Sequence, residues 1–181
     1  MVISIFTDIT YLRNGNEKQQ QVYQLLTQMH LFENLASYKP VLCGTIPIAI
    51  DNENSDLDII MEVYDFAAFK SRMNELFGSY DEFKLQEKLI RSTPTIKVNF
   101  NYGGFMFELF GQPKAVAHQN AYRHMIIEHH LLNLYPDIRE EIIRLKKAGM
   151  KTEPAFAQVL GLNGDPYEEL LKLKIDKVQQ N

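Results

Sequence analysis

Between Ser55 and Val63 the chain reads SDLDIIMEV, an apolar run that carries two aspartates at alternate positions. Side chains on a strand alternate between faces, so Asp56, Asp58, Ile60 and Glu62 share one side while Leu57, Ile59, Met61 and Val63 share the other. A strand bound for a core thus presents two acids together. Next-but-one residues lie about 7 Å apart at Cα. That is close enough for two carboxylates to share a divalent ion, and uncomfortable for two bare charges. Oxygen clusters of this kind suit Mg²⁺, which often shares its shell with substrate phosphates. The competing expectation starts the strand at a sheet rim, with Asp56 capping a turn and Asp58 solvated.

Two neighbouring features favour the metal. Upstream, Gly44-Thr45 ends the short apolar run KPVLCG and can offer backbone N–H groups and a hydroxyl to a phosphate, since glycine lets the chain approach a ligand closely. Downstream, Glu108 is the single acid in FMFELF, and alternation sets it with Met106 and Phe110, opposite Phe105, Phe107 and Leu109. It is a candidate third carboxylate on a neighbouring strand, or else a partner for Lys97. Lys97 itself, on the polar face of TIKVNFNY, is a candidate to neutralise phosphate charge or a solvated lysine.

The remaining chain supplies a frame for these residues. Asn16 is a helix cap, and apolar residues at helical spacing predict a helix from Glu17 to about Leu35. KPVLCG and SDLDIIMEV are neighbouring strands, and DFAAFKSRMNELFG is a second helix capped by Asp65 and stopped by Gly78. FKLQEKLI, TIKVNFNY and FMFELF alternate as strands, the last two forming a hairpin at Gly103-Gly104. After Pro113 the pattern turns helical: NAYRHMIIEHHLLNLY, DIREEIIRLKKAG, EPAFAQVLG with Thr152 as its cap and Pro154 in its first turn, and PYEELLKLKID. An α+β fold follows, with a largely antiparallel or mixed sheet flanked by helices: a core over 1–114 and a helical subdomain over 115–181 packed on it.

Cys43-Gly44-Thr45, a gap of ten residues and then Asp56-Leu57-Asp58-Ile59 resemble the sequence core of nucleotidyltransferases of the DNA polymerase β type. In that pattern Gly is followed by Gly or Ser; Thr45 departs from it but keeps a hydroxyl, and Ser55 before the first acid fits. The resemblance implies a nucleotidyltransferase-like fold over about residues 17–112 and metal-assisted transfer of a nucleoside monophosphate from a nucleoside triphosphate to an acceptor hydroxyl of unspecified chemistry. It also implies that Asp56, Asp58 and Glu108 hold Mg²⁺ or Mn²⁺ and carry catalysis, with Gly44 and Thr45 on the β and γ phosphates. Over nearly the whole length, GTIPIAID, SDLDII, FELFGQP, QNAYRHM, KTEPAFA and GDPYEELL resemble the DUF4269 family of uncharacterised bacterial proteins. The alternative to an enzyme is a non-catalytic nucleotide- or protein-binding member of the same fold.

Composition narrows the partners. One cysteine, Cys43, among 181 residues permits no internal disulfide and points to the cytoplasm, where it reads as a small buried residue. No stretch approaches the roughly 20 apolar residues of a membrane span. A net charge of −4 argues against a general nucleic-acid surface. Near the start of its helix, Tyr122 is a candidate to stack on a base and Arg123 to reach a phosphate, beside their capping and packing roles. His118, His124, His129 and His130 with Glu128 lack the H-E-x-x-H order of a zinc helix and read as helix-surface polar residues. Lys151 is a further, weaker site candidate.

Overall fold

A computed structural model of the protein describes residues 5–173. Asn16 opens helix α1 (Glu17–Gln28) with a full capping box: its side chain accepts from Gln19 N–H while the Gln19 side chain accepts from the Asn16 N–H. The predicted single helix to Leu35 is broken. Val22 and Leu26 set an apolar stripe that Leu31 and Leu35 would leave, yet all four are buried. His30 takes a left-handed turn, φ +49°, which rotates α2 (Leu31–Asn34) so that the stripe re-enters the core.

Five strands form one mixed sheet in the order β1-β2-β5-β4-β3: β1 (Val41–Cys43), β2 (Leu57–Glu62), β3 (Asp81–Ile90), β4 (Thr93–Tyr102) and β5 (Phe105–Gln112). β2 and β5 run parallel; the other neighbours are antiparallel, and Gly103-Gly104 turns the β4–β5 hairpin as the sequence predicts. β2 begins at Leu57, so Asp56 stands just before the strand rather than in it. Helix α3 (Phe66–Phe77), capped by Asp65 through the Ala68 N–H, crosses between β2 and β3.

Strand alternation divides the interior in two. One face of the sheet, with Leu57, Ile59, Met61, Phe107 and Leu109, packs on α1 and α3 in one apolar cluster. Here Phe77, Phe100 and Phe107 stack at centroid distances of 4.7 Å. The other face, with Val41, Cys43 and Ile60, shares a second cluster with α4 (Asn120–Leu134), α5 (Ile138–Lys147), α6 (Thr152–Leu160) and α7 (Pro166–Lys172). Cys43 is a free, buried thiol, as expected.

At α6 the cap position falls to Lys151, with Thr152 as the first helical residue; no side chain bonds the exposed N–H groups, so the predicted Thr152 cap is displaced by one residue. The predicted PYEELLKLKID helix is seen to Lys172; its residues 174–176, like 1–4 of the opening apolar stretch, lie outside the described residues. Among the described residues no helix is long and apolar enough to cross a membrane.

Candidate active site

The second sheet face is apolar at Ile60 and Phe110 and acidic one step earlier. Asp58 and Glu108 are register partners on the parallel strands β2 and β5, as Ile60 and Phe110 are. Alternation therefore puts both carboxylates on one face, and Asp56 joins them from the approach to β2. One oxygen from each of Asp56, Asp58 and Glu108 lies within 4.8 Å of the others, all three half-buried; among the described residues this is the one group with such metal-ligand geometry. Burial, then repulsion from Asp56 and Glu108, pushes the Asp58 carboxyl up to about 8, and burial raises Asp56 as well. A divalent cation would relieve both penalties.

Gly44 makes room for this cluster. Its φ is +82°, and a Cβ there would stand 2.5 Å from Asp58 Oδ2, so glycine serves both the turn and the close approach. Residues 44–55 then fold as an irregular loop, buried at 46–48 and 50, whose carbonyls are claimed by long side chains. From α1, Gln19 Nε2 donates to Ile46 O and Pro47 O at 2.8 and 3.2 Å, and Lys18 Nζ to Asn52 O at 2.7 Å. From α5, Arg139 donates to Ile48 O and Lys146 Nζ to Ile50 O, each at 2.8 Å. Such satisfaction lets an irregular segment sit inside a protein. Thr45 and Ser55 hydroxyls meet across the loop at 3.2 Å.

Gly44, Thr45, Ser55, Asp56, Asp58 and Glu108 line a single cavity of about 530 Å³. Lys97 stands behind it: its ammonium pairs with Glu108 Oε2, which also accepts from Asn99 Nδ2 at 3.1 Å. Lys97 is thus engaged by Glu108, the partner the sequence offered as an alternative. Two candidates lie elsewhere. Ala121, His124, Met125 and Glu128 make the face of α4 that lines the cavity. That leaves Tyr122 round the helix in a separate cavity with Val116 and Glu62, and Arg123 exposed.

The opposite wall was not read from the sequence. His124 and Glu128 are 6% and 4% exposed and face the acids, so the reading of them as helix-surface polar residues is corrected: their i, i+4 spacing with Met125 marks a buried face. His124 Nε2 lies 2.9 Å from Tyr167 O, which can only accept, so that nitrogen carries a hydrogen; Nδ1 lies 3.4 Å from Glu153 Oε1. Burial pushes Glu128 up to about 8, helped by Glu153, and pushes Lys146 down to about 8. Lys146 was detectable in principle, standing beside Leu145 on the buried stripe of α5. Lys151 is exposed and also lines the cavity. A second cavity of about 720 Å³ adjoins, sharing His124, Glu153 and Tyr167.

Solved structures with a similar fold include a poly(U) polymerase and an RNA terminal U-transferase. A structure of the GLD-2/RNP-8 complex superposes with a TM-score of 0.54 at 12% identity, covering 84% of this chain and 61% of that one. The Cid1 poly(U) polymerase with MgGTP bound gives 0.53 at 12%, covering 76% and 46%. A cytoplasmic RNA terminal U-transferase gives 0.52 at 16%, covering 78% and 45%. The chain therefore spans between 45% and 61% of the length of these chains, and at such identities the likeness defines the fold: a nucleotidyltransferase-like α+β sheet. No curated protein matches the chain. Residues 24–173 match the family described as "Domain of unknown function (DUF4269)", and the protein belongs to that family.

Proposed function

We propose that the protein is a Mg²⁺-dependent nucleotidyltransferase that moves a nucleoside monophosphate from a nucleoside triphosphate to an acceptor hydroxyl. The observation that carries this reading is the convergence of Asp56, Asp58 and Glu108 within 4.8 Å in a cavity that also contains the Gly44-Thr45 turn. Burial, then repulsion from Asp56 and Glu108, raises the affinity of Asp58 for protons, and a cation held by these oxygens would offset both.

Asp56, Asp58 and Glu108 would hold the ion. When bound, Mg²⁺ supplies charge that offsets the phosphates and favours a phosphoryl transition state. The chain does the rest. Gly44 offers a backbone that a phosphate can approach, and Thr45 and Ser55 offer hydroxyls, while Lys151 at the cavity mouth adds the positive charge absent from the strand motif. The acceptor oxygen bonds to the α-phosphorus as the bond to the bridging β oxygen breaks; pyrophosphate leaves with the electron pair, and the hydroxyl proton passes to Glu108. Lys97 and Asn99, both on Oε2, fix the orientation of that carboxylate. Two adjoining cavities leave room for two substrates. In this reading the core over 1–114 binds metal and phosphates, and the helical part from residue 115 closes the pocket.

Calorimetric titration of MgATP into wild type and into the Asp56→Asn, Asp58→Asn double variant tests it. Binding by wild type that the variant loses supports the reading; equal binding, or none by wild type, contradicts it. A non-catalytic nucleotide-binding member is the second reading, favoured by the Lys97–Glu108 ion pair, since a paired carboxylate is a poorer base. Release of pyrophosphate from the bound nucleotide distinguishes the two.

A further inference from the structure

Glu128 is a carboxyl group without a partner. Its Oε1 is fully enclosed and makes no hydrogen bond, although its residue lines the cavity opposite the acid cluster. Enclosing an unsatisfied carboxyl oxygen is costly, and such groups are rare enough in folded proteins to need an explanation. Lys146 attracts Glu128 electrostatically but donates its hydrogen bond to Ile50 O. Glu153 repels Glu128 through the same space and is held in place beside the His124 ring. Two acidic side chains thus line the cavity from α4 and α6, and Lys146, which acts on both, hydrogen-bonds to neither.

Resting on the nucleotidyltransferase reading above, we infer that the helical wall is the acceptor subsite and that Glu128 and Glu153 recognise a small acceptor bearing an amino group alongside its hydroxyl. An ammonium between the two carboxylates satisfies Glu128 Oε1 and relieves the repulsion in one contact. Charge in the cavity points the same way. Five acids (Asp56, Asp58, Glu108, Glu128 and Glu153) face two lysines, Lys146 and Lys151. One Mg²⁺ offsets only part of the negative charge of a triphosphate, so the acid excess persists when the nucleotide is bound. A polyanionic acceptor would meet that excess directly; a cationic one is drawn in by it. A volume of about 530 Å³ lies within the range of about 300–1,000 Å³ typical of small-molecule sites.

The test is binding of ethanolamine, glucosamine and 3-amino-1-propanol, with glycerol and a ten-nucleotide oligoadenylate as neutral and polyanionic probes, to the full chain by calorimetry. Each is measured with and without Mg²⁺ and α,β-methylene-ATP. At least one amine should bind more tightly than glycerol and the oligonucleotide, and Glu128→Gln should weaken it about tenfold or more, the loss expected for a buried charge-assisted hydrogen bond. Glu153→Gln should weaken it too, and carries the test if Glu128→Gln does not fold. Failure of all three amines, tighter binding of the oligonucleotide, or an amine affinity indifferent to both variants overturns the inference. Failure of the underlying reading shows separately, as nucleotide-analogue binding insensitive to Asp58→Asn.

Discussion

Gly44 and Asp58 approach so closely that a single added carbon at Gly44 would lie 2.5 Å from Asp58 Oδ2. The turn after β1 is therefore shaped around the carboxylate it faces. Gly44→Ala both collides with Asp58 and forces an L side chain to φ +82°, a backbone strain of about 1–3 kcal/mol. The variant should melt lower than wild type and lose Mg²⁺-dependent nucleotide binding. Thermal denaturation and calorimetry check this; a Gly44→Ala protein with wild-type nucleotide affinity would show that the close approach has no part in the site.

Lys97 neutralises Glu108 in the absence of metal. Removing one partner of a half-buried pair leaves an uncompensated charge, so Lys97→Met should destabilise the metal-free protein by about 1–2 kcal/mol, reduced from the buried-pair figure because both groups retain some water. Added Mg²⁺ should recover more stability in the variant than in wild type. Melting curves with and without Mg²⁺ decide it; equal Mg²⁺ responses would mean that Glu108 does not meet the ion.

The pH dependence of the metal-free protein follows from two raised carboxyls. Asp58 and Glu128, both near 8 in the folded state, titrate from 3.8 and 4.5 when unfolded. The folded state thus binds more protons throughout that interval, so their contribution is fully present below about pH 4 and is lost as pH rises toward 8. Lys146, lowered from 10.5 to about 8, acts with the opposite sign only above that window. Urea unfolding should show Asp58 costing about 2 kcal/mol between pH 5 and 8, below the 1.36 kcal/mol per pH unit limit because the cavity admits water. Asp58→Asn should flatten the profile by that amount; an unchanged slope would refute the assignment.

Gln19 ties α1 to the 44–55 loop with one amide: Oε1 completes the capping box and Nε2 serves two loop carbonyls. Gln19→Ala should cost about 2–3 kcal/mol, from the lost cap and two unsatisfied carbonyls. It should also weaken nucleotide binding without touching an acid. Chemical denaturation measures the first effect and calorimetry the second.

Much of this was legible in the sequence for reasons of period. Alternation placed Asp58 and Glu108 on a common face, and the parallel β2–β5 register made them neighbours. Asn16 and Asp65 marked their helix starts because capping is local. What escaped depends on long-range geometry. Nothing local chooses among the roles the sequence offered Lys97, partner of Glu108 among them, or reveals that Glu128 and His124 line the acid cavity while Tyr122 and Arg123 do not. The break at His30 was hidden because no Gly or Pro marks it, and α1 and α2 differ in the phase of their apolar stripe.

Anomalous diffraction from crystals soaked with Mn²⁺ and α,β-methylene-ATP tests the central claim most directly. The three-carboxylate site predicts a Mn²⁺ peak at about 2.1 Å from oxygens of Asp56, Asp58 and Glu108, with phosphate oxygens completing its shell. A peak away from these residues, or nucleotide density with no metal among them, would contradict it.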